Sequence, residues 1–224
     1  MQPLKLDQFM DFNKIAKERI KELITADVEG RCIIYDWSIG DEIYCKKGKS
    51  GIIQEVSYSQ KDVDLYTGQH GFQILVKNDE ETFCIAPEDI LRTTPKQKSV
   101  NHDHLFQLEN VMEVLDRGTK IDKNRLQELI EGDIKGACYL YPCRLGTEIL
   151  HKKEKRSGYI TKYMLDSTGQ RFGFWYKGFF WSETLEDFQR KFKILGDGID
   201  KIKIQKELFD FYFSEDYIDD DLEE

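Results

Sequence analysis

Apolar residues recur three and four positions apart in two stretches of the chain, and each stretch leads into a strand-like alternation. In the first, Ile15, Ala16, Ile20, Leu23 and Ile24 fall on one side of a predicted helix. Asn13 stands where a side-chain oxygen can accept the free N–H groups of the first turn. In the second, Ile121, Leu126, Leu129 and Ile130 repeat the stripe, and Thr119 takes the cap position. Each helix runs to an acid and an apolar residue, Asp27-Val28 or Asp133-Ile134, and then to Gly30 or Gly136. A strand-like stretch follows, RCIIYDW or ACYLYPC, continued by Gly40-Asp41-Glu42-Ile43 or Gly146-Thr147-Glu148-Ile149. A lysine-rich turn then leads to another strand, IIQEVSY or YITKYML.

Beyond that strand the two stretches part. The first passes through a polar loop, SQKDVDLYTGQHG, into a hairpin that turns at Asn78-Asp79, then a single helical turn near Pro87-Glu88-Asp89. The second has a shorter loop, DSTGQ, an aromatic strand RFGFWYKGFFW turning at Lys177-Gly178, and a helix capped by Ser182 through Leu185, Phe188 and Phe192. Residues 92–104 are polar and aperiodic and read as a linker. A helix is expected over 105–117, stopped by Gly118, and a final one from Gly198 to Phe213.

The parallel is a duplication. Residues 15–51 align with 121–158 across one inserted residue, and 18 of 37 positions are identical. What both copies keep is expected to serve the fold; what differs is where a function has room. The expectation is an α+β chain. Residues 1–98 would hold a helix and the first small antiparallel module, 99–214 helices, the second module and a C-terminal helix, and 215–224 an acidic tail.

Composition refines this picture. Apolar residues make up 40% of the 224, enough for each half to bury its own core without metals or disulfides. The net charge of −9 is concentrated at the end, because the last ten residues carry seven acids and no base. Such a run is a solvated tail, or else it docks on a basic partner or competes with nucleic acid. No secretory signal and no membrane-spanning apolar run is present, so a cytoplasmic protein without membrane attachment is expected. Five cysteines lack metal-ligand or framework spacing; Cys32 and Cys138 are equivalent and read as small core residues.

The run I-G-D-E-I-Y-C-K-K-G-K-S-G-I-I-Q-E-V resembles the strand–turn–strand core of SH3-like small barrels of the KOW and Tudor type. The second copy, L-G-T-E-I-L-H-K-K-E-K-R-S-G-Y-I-T-K-Y, resembles a looser version. The resemblance implies two tandem SH3-like β-barrel modules and a habit of binding RNA, DNA or peptides. The residues it carries over are the turn lysines and nearby aromatics. Gly48 matches the glycine usual inside the KOW turn, and Glu154 replaces it in the second copy.

Two constellations are candidates for binding. The turn lysines, Lys46, Lys47 and Lys49 against Lys152, Lys153, Lys155 and Arg156, would track phosphates as one surface if the modules face the same way. Equally, they protect strand edges from aggregation. The aromatic run supplies Trp175, Phe179 and Trp181, either as a recognition patch or as a face packed on the C-terminal helix. Four scattered histidines suggest no metal site, and no cofactor is expected. No nucleophile–base pair or phosphate-cradling glycine loop appears, so an enzyme is not expected. Arg19 and Arg125 are kept with Asp27, Asp133, Glu42 and Glu148, and an ion pair joining helix to barrel is expected. The function expected is that of an adaptor, inhibitor or accessory subunit recognising a protein partner. The alternative is a nucleic-acid-binding protein using the two basic turns. The sequence leaves oligomeric state undetermined.

Overall fold

Helix α1, residues 18–28, buries Ile20, Leu23 and Ile24 of the predicted stripe; Ile15 and Ala16 lie outside the described residues. It stops at Gly30, whose φ of 68° lets the Arg31 N–H reach back to the Ala26 carbonyl at 2.7 Å. Helix α2, Lys123–Ile134, stops in the same way, with Gly136 at φ 68° and the Ala137 N–H on the Gly132 carbonyl. Glycine suits that left-handed position because a Cβ is penalised there. Asp122, and not Thr119, caps α2 by accepting the Asn124 N–H at 2.8 Å. The computed structural model describes residues 18–46, 48–63, 70–94 and 121–204. Asn13, Lys47, the helix expected over 105–117 with Gly118, Thr119, most of the linker, the final helix beyond 204 and the acidic tail therefore lie outside the described residues.

The first copy continues with β1 (Cys32–Ile34), β2 (Glu42–Cys45), β3 (Ser50–Ser59), β4 (Gly71–Lys77), β5 (Thr82–Ile85), a 3-10 turn at Pro87–Asp89 and β6 (Ile90–Thr94). The second continues with β7 (Cys138–Leu140), β8 (Thr147–His151), β9 (Ser157–Asp166), β10 (Gly169–Tyr176) and β11 (Phe179–Thr184). It closes with α3 (Leu185–Lys191), β12 (Phe192–Asp197) and α4, residues 199–204. Every pairing is antiparallel. The ladders run β6-β2-β3-β4-β5 and β12-β8-β9-β10-β11, so in each the last strand returns to the first. Among the described residues no pairing joins β5 to β6 or β11 to β12, so neither ladder closes into a barrel. The chain is α+β, mostly antiparallel sheet with short helices.

The strands β6 and β12 fall where the sequence pattern predicts other things. Arg92–Thr94 were expected in the linker, and Phe192 at the end of a helix. Both segments are short and carry little apolar alternation of their own; the open edges of β2 and β8 supply the partner that makes them strands. Thr184 caps α3, accepting the Asp187 N–H at 3.2 Å, while Ser182 belongs to β11.

The two copies meet about a pseudo-twofold axis. Strands β1 and β7 pair around Ile33 and Tyr139, which are equivalent residues, so Cys32 lies opposite Leu140 and Ile34 opposite Cys138. Strands β3 and β9 pair around Ser57 and Met164, again equivalents, fusing both ladders into one ten-stranded network. On the axis, equivalent residues touch each other. The Tyr35 and Tyr141 hydroxyls are 3.0 Å apart; Tyr141 spends its proton on the Met164 carbonyl at 2.9 Å, so Tyr35 is the donor between them.

The conserved arginines do not join helix to sheet. They cross between the copies: Arg19 binds Asp133 at 2.8 Å and Arg125 binds Asp27 at 2.7 Å. Each guanidinium also holds an acid one turn on, Glu22 or Glu128. The two arginines keep more than a third of their surface in water and the aspartates less, so each crossing pair contributes on the order of 1 kcal/mol. The larger share comes from burial between the helices and β1–β7, where Leu23, Ala26, Leu129, Cys32 and Cys138 form one apolar cluster. Each removed leucine there would cost about 2–5 kcal/mol.

The two main cores borrow from one another. The first, around Ile43, Ile53, Val56, Ile74 and Val76, takes in Leu165 from the second copy. The second, around the stacked rings of Tyr141 and Tyr163 with Phe172, Phe174, Phe188 and Phe192, takes in Val63 from the first. A residue-by-residue exchange of this kind ties the folding of one half to the other.

Gly51 and Gly158, equivalent residues at the start of β3 and β9, explain why both copies keep a glycine there. A Cβ on Gly51 would sit 2.7 Å from the Lys77 carbonyl oxygen, and one on Gly158 2.5 Å from that of Trp175. The obstruction is backbone and cannot rotate away. Gly51→Ala and Gly158→Ala are each expected to lower stability by about 1–3 kcal/mol, read as an earlier urea midpoint with little change in slope.

Candidate functional site

The aromatic strand β10 and its neighbour β11 divide the aromatic run into a buried and an exposed half. Alternation along β10 points Phe172, Phe174 and Tyr176 into the core and leaves Trp175 half-buried; the register shift opposite Gly173/Phe174 is taken up on β9, at Thr161. Strand β11 pairs with β10 alone among the described residues and is an edge. On it Phe179, Phe180 and Trp181 remain 67%, 45% and 47% exposed. Two of them are nevertheless fixed in place. The Trp181 indole N–H donates to the Tyr176 carbonyl at 3.0 Å, and Phe180 lies over Gly173, where a Cβ would be 2.6 Å from its ring. Lys162, anchored on Gln73 at 3.2 Å, stands 5.7 Å from the Phe180 ring centre.

The basic turn of the second copy borders this edge. Glu154, within that turn, accepts the Tyr176 hydroxyl at 2.8 Å and pairs with Lys177 in the β10–β11 turn, so one carboxylate joins the two turns. Lys153, Lys155 and Arg156 are exposed beside it, and Lys152 donates to the Gln189 carbonyl at 2.6 Å. In the first copy the same turn-to-turn contact exists with its charges reversed. Lys49 of the β2–β3 turn binds Glu81 of the β4–β5 turn at 2.5 Å and lies 5.1 Å over Phe83. There the neighbouring hairpin tip is acidic, Asp79-Glu80-Glu81, and its strand β5 reads Thr-Phe-Cys-Ile. Lys46 is exposed, and Lys47 is not among the described residues.

The register decides how the two basic turns relate. They precede β3 and β9, and these strands run antiparallel about Ser57 and Met164. The turns therefore leave opposite ends of the paired strands, and a single surface containing both does not form. The structure instead joins the second copy's basic turn, with Lys153, Lys155 and Arg156 exposed on it, to Lys177 of the β10–β11 turn through Glu154. The β11 edge that follows carries Phe179 and Trp181 on one face and Phe180 on the other. Phe180 and Lys177 were not singled out by the sequence; their pairing with Trp175 and their contact with Glu154 are what bring them in.

A second feature lay outside what the pattern of residues conveys. An open cleft of about 780 Å³ runs between α2 and residues 35–41, with Asp36, Ser38, Tyr58, Phe72 and Lys135 on its walls. Charged groups on its walls pair with one another, Arg125 with Glu128 and Lys135 with Glu131. Among the described residues no three His, Cys, Asp or Glu side chains gather as a metal site requires, and no helix is long and apolar enough to cross a membrane. No protein-family model matches the chain, and no curated protein or solved structure matches it.

The five cysteines are all unpaired and differ sharply in exposure. Cys84 on β5 is open to solvent, whereas burial pushes the Cys143 thiol up to about 12. A bulky thiol reagent at pH 8 should therefore find one fast group in the native protein, lost in Cys84→Ser, with Cys143 among the last to react.

Proposed function

We propose that the chain is a non-enzymatic binding protein, an adaptor, inhibitor or accessory subunit, whose second copy takes a protein partner on the β11 edge. The observation that carries this reading is the exposed trio Phe179, Phe180 and Trp181, the last two held in place, on a strand whose outer edge is unpaired among the described residues. An incoming extended segment would add a strand there, gaining main-chain hydrogen bonds from the edge and affinity from aromatic anchors. The cations around it, Lys153, Lys155, Arg156 and Lys177, favour a segment carrying acids near its apolar residues. We propose further that each open ladder is of the SH3-like type. Its support is the meander of strands, the short helical turn before the last strand, and the return of that strand to the first. A cytoplasmic setting is proposed on the strength of five free thiols.

The same juxtaposition of aromatics and cations supports a second reading, a single-stranded nucleic acid whose bases stack on the exposed rings. One experiment separates the two. A tagged full-length chain is used to retain partners from cell extract, with and without nuclease, beside a variant carrying Phe179→Ser, Phe180→Ser and Trp181→Ser. The expected result is a defined protein retained after nuclease and lost from the variant, equivalent to about 2 kcal/mol or more of binding. Retention that disappears with nuclease would favour nucleic acid, and retention unaffected by the three substitutions would remove the edge from consideration.

A further inference from the structure

The Cys32 and Cys138 sulfurs lie 3.0 Å apart at the pseudo-twofold axis, buried beneath Leu23, Ala26 and Leu129. The β1–β7 register puts them there. Each cysteine faces a residue two positions from the other, so both side chains leave the same face of the two-stranded sheet. A disulfide requires about 2.05 Å, so the sulfurs need to close by roughly 1 Å. The surroundings favour ionisation of one of them. The hydrogen bond between the sulfurs draws the Cys138 thiol below its ordinary range against the opposing effects of burial and the Asp133 charge, and the Arg19 and Arg125 guanidiniums act in the same direction.

An approach route exists on one side. The 780 Å³ cleft has Cys32 and Gly132 in its wall. A Cβ on Gly132 would lie 3.5 Å from the Cys138 Cβ, so the missing side chain thins the cover over the pair. The equivalent residue in the first copy is Ala26, which is fully buried.

We propose that Cys32 and Cys138 form a thiol oxidation site, converted by a hydroperoxide into a disulfide that staples the two copies and reopened by a thiol reductant. One sulfur attacks a peroxide oxygen, forming an S–O bond as the O–O bond breaks; the departing hydroxide takes the thiol proton and becomes water. The second sulfur then attacks the sulfenic sulfur, forming S–S and releasing the hydroxyl, which takes the second thiol proton. Two thiols and one hydrogen peroxide give one disulfide and two waters, and the two electrons lost by sulfur are gained by the peroxide oxygens. The staple closes a long loop through both copies, which narrows the unfolded ensemble.

The test uses the full chain with Cys45→Ser, Cys84→Ser and Cys143→Ser, leaving the proposed pair. On exposure to hydrogen peroxide, thiols titrated in denaturant should fall from two to none, with a mass loss of two hydrogens, and dithiothreitol should restore them. The oxidised form should melt roughly 5 °C or more above the reduced form. In the unsubstituted chain, tandem mass spectrometry should place the cross-link between Cys32 and Cys138, which keeps the test decisive if the triple variant folds poorly. Two thiols surviving in the triple variant at a peroxide dose that oxidises Cys84 of the unsubstituted chain, overoxidation of a single sulfur without cross-linking, or a cross-link to another cysteine would each overturn the proposal.

Discussion

The pairing of the two copies about their pseudo-twofold axis is the constraint from which the other structural features follow. It is made twice over, once by α1 and α2 clasping the short β1–β7 sheet, and once by the longer β3–β9 ladder. The first contact rests on burial more than on its strand or ion pairs. A three-residue strand pair contributes little without the apolar cluster above it, and the crossing Arg–Asp pairs are too wet to hold two domains together. Together they place Leu165 and Val63 in the opposite cores and so make the halves mutually dependent. The symmetry also dictates which residues touch on the axis, because a residue close to a twofold meets its own equivalent.

Much of this was legible in the chain, and the limits are physical. The helical stripes ending at Gly30 and Gly136, the hairpins turning at Asn78 and Lys177, and the 3-10 turn at Pro87 follow from local periodicity and turn chemistry. Strands β6 and β12 do not, because their geometry comes from an edge supplied by residues far away in sequence. Arg19 and Asp27 were visible as retained residues, but their partners were not: local spacing cannot tell a bond within a copy from a bond across the axis. The facing cysteines and tyrosines carried a usable signal. Identity at equivalent positions, in a chain whose copies pair symmetrically, marks residues that can lie on the axis.

The candidate surface was half legible. The density of aromatics over 172–181 was plain, and alternation puts Phe172, Phe174 and Tyr176 inward as the structure does. The exposure of Phe179, Phe180 and Trp181 comes instead from β11 being an edge among the described residues, which spacing does not convey. Lysine turns were equally plain, yet their relation depended on the direction in which β3 and β9 run past each other. Symmetric placement sent them apart, and the divergence of the two hairpins then gave only one of them a neighbouring strand of exposed aromatics.

The reversed ion pair between turns, Lys49 with Glu81 in one copy and Glu154 with Lys177 in the other, has a consequence for valence. A chain with two like copies would ordinarily offer two like edges and bridge its partners into networks. Here the scaffold contact survives in both copies while the outward charge and the aromatic trio belong to one. Under the proposed function such a molecule is monovalent. It caps a partner in a one-to-one complex and does not cross-link, although it is built from a repeated part.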